Sequence, residues 1–209
     1  MALLDHLFAL AAPLIRRLGQ RKLTERRAQF ALMPPAPGRV VFLGDSIIEQ
    51  GQWDGWMPDL PTLNRGIGGE RIADVAARLG TALHAPRAVV LMVGTNDVHE
   101  ARNPADTAAA ASRMKDLVNA IRKGAPAAAL IVNSVAPRTL QYRDRIVKFN
   151  AELVQIVTAA DAQYLDLWPV MAGPDGTIRP ELTTDGLHLT AEGYAVWAKA
   201  LQPVLARLG

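Results

Sequence analysis

Beyond residue 30 the sequence alternates between short apolar runs and longer stretches with helical periodicity, and this alternation limits the folds that the chain can adopt. The apolar runs are rich in Val, Ile and Leu, are bounded by Gly, Pro or Asp, and cover residues 39–44, 62–67, 88–94, 129–135 and 163–168. Helical periods cover residues 70–83, 105–123, 143–160 and 190–207. Strands that are apolar on both faces and separated by helices are typical of a parallel sheet covered on both sides. We therefore predict an α/β protein, a three-layer α/β/α sandwich with five strands.

The composition narrows the classes of protein to which the chain can belong. Half of the 209 residues are hydrophobic, which suits one globular domain with a full core. The net charge of +3 is small and is concentrated near the N-terminus, so no nucleic-acid partner is predicted. There is no cysteine, which excludes a disulfide framework and thiolate catalysis. No apolar run reaches the roughly 18 to 20 residues that span a bilayer.

The N-terminal segment has an amphipathic pattern of its own, and we predict a helical extension over residues 1–30 ahead of a domain over residues 31–209. Apolar residues recur at helical spacing at Leu3, Leu4, Leu7, Leu10, Ala11, Leu14, Ile15 and Leu18. Basic residues follow at Arg16, Arg17, Arg21, Lys22, Arg26 and Arg27.

This extension has two interpretations. Residues 1–27 can lie on a membrane surface, or the helix can dock on the domain or on a second copy of the chain and so form a homo-oligomer. Docking is favoured. Asp5 stands where a signal peptide would carry basic residues, so we expect a cytoplasmic protein, with peripheral membrane association as the alternative.

Polar and glycine-rich segments follow each predicted strand. They are Gly44-Asp45-Ser46, "NRGIGGE" at 64–70, "GTND" at 94–97, Ser134 with Pro137 and Arg138, and a long loop over 169–189 that contains Asp185 and His188. Ligands of open α/β sheets bind beyond the carboxyl ends of the strands. These segments are therefore predicted to form the functional site.

Ser46 is either the N-cap of a helix or a nucleophile. The chain has three serines, and of these only Ser46 lies at a predicted turn from strand to helix. A serine hydroxyl needs a base, and His188 follows Asp185 at a spacing that lets one turn aim the carboxylate at the imidazole. Backbone N–H groups at Ser46 and in the Gly68-Gly69 turn, and the Asn96 amide, are candidate donors to an oxyanion.

Four ordered blocks, "FLGDSI", "NRGIGGE", "VGTND" and "TTDGLHLT", resemble those of the SGNH hydrolases, also called the GDSL esterase/lipase family. The resemblance covers residues 39 to about 207 and is greatest to the branch of platelet-activating-factor acetylhydrolase-like and acyl-ester hydrolases. It implies a flavodoxin-like sandwich with strand order 2-1-3-4-5 and no metal or organic cofactor.

The resemblance also implies roles for individual residues. Ser46 would be the nucleophile, with His188 as base and Asp185 as its orienting acid. The oxyanion hole would consist of the backbone N–H groups of Ser46 and Gly69 and the side-chain amide of Asn96. Ile47 stands where the family often has leucine, and Glu70 where it usually has aspartate; no role for Glu70 follows from the sequence.

The sequence predicts the class of reaction in more detail than the identity of the substrate. Trp53, Ile67, Val98 and Arg138 are candidate substrate contacts. No large lid is inserted, so we expect a shallow site for esters of short acyl chains, such as aryl or carbohydrate acetates.

Several other functions are consistent with the same residues. Within ester chemistry they are lysophospholipase or thioesterase activity on longer chains and acyl transfer to alcohols. Outside it they are a binding module without activity and a metal-dependent phosphoesterase whose ligands would be Asp45, Asp97, Asp185 and His188.

Overall fold

The computed structural model describes residues 19–207. Its centre is a sheet of five parallel strands, β1 (Val40–Gly44), β2 (Thr62–Gly66), β3 (Ala88–Met92), β4 (Ala129–Asn133) and β5 (Gln163–Leu165). The strand order is β2-β1-β3-β4-β5. The predicted fold class, strand count and strand order are thus confirmed.

Nine α-helices occur in the described part of the chain. They are α1 (19–32), α2 (Ser46–Gln50), α3 (Trp53–Trp56), α4 (Ile72–Ala77), α5 (Thr95–Glu100), α6 (Pro104–Gly124), α7 (Leu140–Ala159), α8 (Trp168–Met171) and α9 (Ala191–Ala206). Short 3₁₀ turns lie at Leu79–Thr81 and Pro180–Leu182. The helix predicted over 70–83 is therefore shorter than expected, and Gly80, which disfavours α-helix, falls in its 3₁₀ turn.

Two apolar cores enclose the sheet, one on each face. Alternate residues of β1 divide between them, since Phe42 packs in one core and Val41 and Leu43 pack in the other. The first core also contains Trp53 of α3 and Trp197 of α9, and the second contains residues of α4, α6 and α7. Because both faces are covered, the central strands β1 and β3 are wholly buried, while the edge strands β2 and β5 are more exposed. The carboxyl ends of the strands form one edge where polar residues can collect.

The N-terminal extension is described in part. Helix α1 ends at residue 32, close to the predicted boundary. The apolar stripe from Leu3 to Leu18 and two of the six basic residues, Arg16 and Arg17, lie outside the described residues. No helix within 19–207 is both long enough and apolar enough to cross a membrane.

Candidate active site

Ser46 is the first residue of α2, directly beyond the carboxyl end of β1. This tight turn requires glycine at position 44, because the Cβ of any other residue would lie 1.9 Å from the carbonyl oxygen of Met92 on β3. The N-cap is Asp45, whose Oδ1 accepts a hydrogen bond of 3.0 Å from the Ile47 N–H. Because Asp45 caps the helix, the Ser46 hydroxyl is not needed as a cap.

Asp45 is buried beneath the serine. Burial raises the pKa of its carboxyl group to about 7, and the charges of Asp97 and Glu70 act in the same direction, against the hydrogen bond from Ile47. A negatively charged Asp45 is therefore costly in the folded state.

A chain of two hydrogen bonds links Ser46, His188 and Asp185. The Ser46 Oγ lies 3.1 Å from His188 Nε2, and His188 Nδ1 lies 2.7 Å from Asp185 Oδ2. Since an ionised Asp185 can only accept, the ring proton belongs on Nδ1, and Nε2 is then free to accept from the serine hydroxyl. The sequence prediction that these three residues meet agrees with this geometry.

The turn that carries the acid and base is held by local hydrogen bonds. Asp185 Oδ1 accepts from the backbone N–H groups of Leu187 (3.0 Å) and His188 (2.8 Å). The His188 carbonyl accepts from the Thr184 N–H and the Thr183 hydroxyl, both at 2.9 Å. Every one of these bonds spans at most five residues, so the turn largely organises itself.

The hydrogen bonds also set the charge of Asp185. Desolvation acts to raise the pKa of this carboxyl group, but the bonds from the His188 ring and from the two backbone N–H groups outweigh it, so its pKa lies below the ordinary value. The side chain is 52% exposed and that of His188 28% exposed. An anionic Asp185 can therefore orient His188 and stabilise its protonated form.

The two other predicted oxyanion donors lie on neighbouring segments. Gly69 occupies the left-handed region with φ +80°, which favours glycine, in the turn after β2. Asn96 is in the first turn of α5, and its Nδ2 donates a hydrogen bond of 2.8 Å to the Glu70 carbonyl. An amide has two N–H bonds, so one remains for another acceptor. Among residues 19–207, no partner takes the backbone N–H of Ser46 or of Gly69.

Glu70 is the residue that sequence reasoning missed. Its side chain is fully buried, and its two oxygens accept from Arg27 Nε at 2.8 Å and from Arg78 Nε at 2.6 Å. Arg78 also donates to the carbonyls of Gly44 and Arg65, which belong to β1 and β2. The sequence shows an acidic residue directly after two glycines, but it does not show that this residue pairs with arginines, one of them 43 residues away.

The structure places three of the four predicted substrate contacts in the core, with at most 1% exposure. Trp53 stacks on Phe42 with ring centroids 4.1 Å apart and donates from Nε1 to the Ile48 carbonyl. Ile67 and Val98 are likewise buried. Large apolar side chains at helical or strand spacing pack in the core, and in this sequence nothing distinguishes a lining residue from a core residue.

Arg138 remains a candidate substrate contact. It is 7% exposed, its guanidinium lies 4.1 Å from the centroid of the Tyr142 ring, and its Nε has no partner among the described residues. Burial lowers the pKa of Arg138, whereas the charges of Asp185 and Asp45 raise it. Its Nη1 donates to Thr95 Oγ1 at 3.5 Å, and because Thr95 precedes Asn96 in α5, this contact locates the guanidinium near the candidate site.

The four residues of the metal alternative have different partners. Asp45 caps α2, Asp185 binds His188, and Asp97 accepts from the Ile72 N–H and pairs with Arg113. Within residues 19–207 no three His, Asp or Glu side chains form a group with metal-site geometry.

Comparison with known proteins agrees with this geometry. The family model of the GDSL-like lipase/acylhydrolase family matches residues 42–196. Subunit alpha1 of platelet-activating factor acetylhydrolase IB from Rattus norvegicus is 34% identical over an alignment of 182 residues, and the match covers 81% of this chain and 75% of that protein.

Solved structures share the fold. One is a candidate platelet activating factor from Streptococcus pneumoniae, with a TM-score of 0.85, 20% identity and coverage of 94% of this chain and 99% of that chain. Another is a candidate acylhydrolase from Bacteroides fragilis, with a TM-score of 0.72, 25% identity and coverage of 90% and 97%.

The fold and the comparisons thus define a carboxylic ester hydrolase built on a parallel α/β sandwich. The chain belongs to the GDSL-like lipase/acylhydrolase family.

Proposed function

We propose that the chain hydrolyses carboxylic esters of short acyl chains through an acyl-enzyme on Ser46. The observation that carries this proposal is the continuous chain of hydrogen bonds from Ser46 Oγ through the His188 ring to Asp185 Oδ2. Both distances lie within the range in which a base activates a hydroxyl nucleophile.

The reaction has two halves. Ser46 Oγ attacks the acyl carbon while its proton passes to His188 Nε2, and the same proton then goes to the alkoxide that leaves. Water next attacks the acyl-enzyme, gives a proton to Nε2, and the carboxylic acid leaves as Oγ regains a proton. Asp185 keeps the ring in the tautomer that accepts at Nε2 and stabilises the imidazolium that forms twice in the cycle.

In both halves, negative charge develops on the former carbonyl oxygen. We propose that it is stabilised by the N–H groups of Ser46 and Gly69 and by the second N–H of the Asn96 amide. Fixed donors of this type cost no reorganisation during the reaction, and the loss of one typically lowers the rate by about 10²–10³.

Two observations support a preference for short acyl groups. The segment between Ser46 and Gly69 consists of α2, α3 and β2 with short connections, so no lid is inserted there, and Trp53, the first large side chain after α2, is buried. The rat relative at 34% identity is named an acetylhydrolase. Transfer to an alcohol, or action on longer acyl chains, uses the same residues and is distinguished by the products and by chain length.

The test is the initial rate of hydrolysis of p-nitrophenyl esters from acetyl to palmitoyl, with EDTA present and Ser46→Ala measured beside the unchanged protein. We expect a rate that requires Ser46 and is highest at acetate or butyrate. A maximum at long chains contradicts the short-acyl proposal. A rate that persists in Ser46→Ala contradicts the acyl-enzyme.

A further inference from the structure

Helix α1 lies outside the segment that defines the family, yet it contacts the turn that carries Gly69. The family match begins at residue 42, whereas α1 covers residues 19–32. Of its basic residues, Arg21 and Lys22 are exposed, but Arg26 and Arg27 are partly buried, with 28% and 40% of their side chains exposed.

Arg27 holds one end of the turn. Its Nε donates to Glu70 Oε1 at 2.8 Å, and its Nη2 donates to Asp74 Oδ1 at 2.9 Å. Because Glu70 is fully buried, the loss of Arg27 would leave one oxygen of a buried carboxylate without its charged partner. Of the described residues, Arg78 would then be the one cation left on that carboxylate.

Arg26 holds the other end of the turn. Its Nε lies 2.9 Å from the Gly66 carbonyl and 3.0 Å from Glu49 Oε1. The second oxygen of Glu49 accepts from the Gly68 N–H at 3.1 Å. Arg26 therefore contacts the turn directly at Gly66 and indirectly, through a residue of α2, at Gly68.

The end of α1 has further contacts with the rest of the domain. Phe30 is buried, and the guanidinium groups of Arg26, Arg65 and Arg78 lie 4.5–5.9 Å from the centroid of its ring. Arg65 also donates to the Met33 carbonyl at 2.6 Å. These contacts join the end of α1 to Arg65 of β2 and to Arg78, the residue that follows α4.

We infer that α1 is a positioning element of the ester-hydrolysing site, in which Arg26 and Arg27 hold residues 66–70 so that the Gly69 N–H and the Asn96 amide face the reacting carbonyl. Asn96 is included because its amide is bonded to the carbonyl of Glu70, the residue that Arg27 holds. The inference rests on the proposed function, since it assigns the turn a role in oxyanion stabilisation.

The consequence concerns the transition state more than substrate binding. A displaced N–H loses contact with the oxyanion, which exists only in the tetrahedral stages, while the ground-state ester is bound much as before. Arg27→Ala and Arg26→Ala should each lower kcat by about 10-fold with little change in KM, since small misplacements at a reacting centre have large effects.

Matched variants distinguish a displaced turn from a loss of folding or of surface charge. Arg27→Lys keeps the charge but loses the two-pronged contact with Glu70 and Asp74, so it should recover kcat only in part. Arg21→Ala removes the same charge from an exposed position of the same helix and should leave kcat unchanged. Melting temperatures and circular dichroism at the assay temperature establish that each variant is folded.

The decisive readout is inhibition by a trifluoromethyl ketone. The serine oxygen attacks the ketone carbonyl and gives a tetrahedral adduct whose former carbonyl oxygen is an oxyanion. Across Arg26→Ala, Arg27→Ala and Arg27→Lys the inhibition constant should rise in proportion to the loss of kcat/KM, with Asn96→Ala as the positive comparison. Inhibition by the product alcohol should not change.

The outcomes distinguish this inference from the proposed function. If Ser46→Ala abolishes hydrolysis but the Arg26 and Arg27 variants behave like Arg21→Ala, the positioning role is overturned. The positioning role is also overturned if activity falls while the inhibition constant of the ketone does not rise. If Ser46→Ala remains active, the proposed function itself has failed.

Discussion

The two sides of the candidate site are held in place by different means. On one side, Asp185 and His188 belong to one exposed turn whose hydrogen bonds join residues at most five apart. On the other side, Gly69 and Asn96 are backed by Glu70, which is fully buried and paired with arginines 8 and 43 residues away.

The exposed turn carries the residues that transfer protons, and the buried network holds the residues that stabilise the oxyanion. An acid–base pair has to exchange protons with water and substrate, and a partly exposed turn allows this. Oxyanion donors have to stay fixed while charge develops, and a buried network resists displacement. We therefore expect changes on the first side to act on chemistry at one residue and changes on the second side to act through distant contacts.

The largest effect should follow removal of the base. His188→Ala should lower kcat by about 10⁴-fold, because Ser46 then has no group that takes its proton. The double variant Ser46→Ala/His188→Ala should be no slower than either single variant, since the two act as one unit. Single-turnover rates with p-nitrophenyl acetate measure this, and additive losses would contradict a shared role.

The next largest effect should follow removal of the side-chain oxyanion donor. Asn96→Ala should lower kcat by about 10²–10³ with KM little changed. Steady-state kinetics with the same ester provide the measurement. If KM rises while kcat stays constant, Asn96 binds the ground state and the assignment to the oxyanion is wrong.

Two glycines sharpen the comparison between the sides. Gly69 and Gly186 have φ values of +80° and +81°, so alanine at either should destabilise the fold by about 1–2 kcal/mol. The two positions differ in the space available for a side chain. A Cβ at Gly69 meets nothing within 4 Å, whereas one at Gly186 lies 2.6 Å from Thr139 Cγ2. Gly186→Ala should therefore also displace Asp185 and His188 and lower kcat, by roughly 10-fold.

The control for this prediction is Thr139→Ser, which removes the clashing methyl group. Combined with Gly186→Ala, it should restore much of kcat but not the stability lost to the backbone conformation. Urea unfolding and kcat are measured on the same samples. Equal activity of Gly69→Ala and Gly186→Ala would show that the contact with Thr139 does not position the turn.

The smallest effect on the rate is expected at Asp45, where the change is mainly in stability. Its pKa is about 7 in the folded protein against an ordinary value of 3.8, so between these values the folded state binds more protons than the unfolded state. The free energy of unfolding should fall as pH rises through that window, by at most about 4 kcal/mol.

Asp45→Asn should flatten this pH dependence, because the amide keeps an acceptor for the Ile47 N–H but cannot ionise. Burial also raises the pKa of Asp97, which contributes a slope of the same sign and is unchanged in the variant. Urea unfolding between pH 4 and pH 8 measures the difference. A variant with the same slope as the unchanged protein would contradict a buried, neutral Asp45 at low pH.

The sequence predicts those parts of the molecule that depend on local pattern. Apolar runs bounded by turn residues mark the strands, and the spacing of Asp185 and His188 marks a turn that organises itself. Burial depends on the whole fold, so the sequence pattern does not distinguish Trp53, which is in the core, from a residue that lines the site. The partners of Glu70 are Arg27 of α1 and Arg78, the residue that follows α4, and no local pattern connects Glu70 with a residue 43 positions away.

The most direct test of the account is the site of covalent labelling. A fluorophosphonate probe is added to the protein, and the labelled residue is identified by peptide mass spectrometry, with His188→Ala as the control. The account predicts one adduct on Ser46 that forms much more slowly in the control. An adduct on Ser112 of α6 or on the buried Ser134, or hydrolysis that continues after full labelling of Ser46, would contradict it.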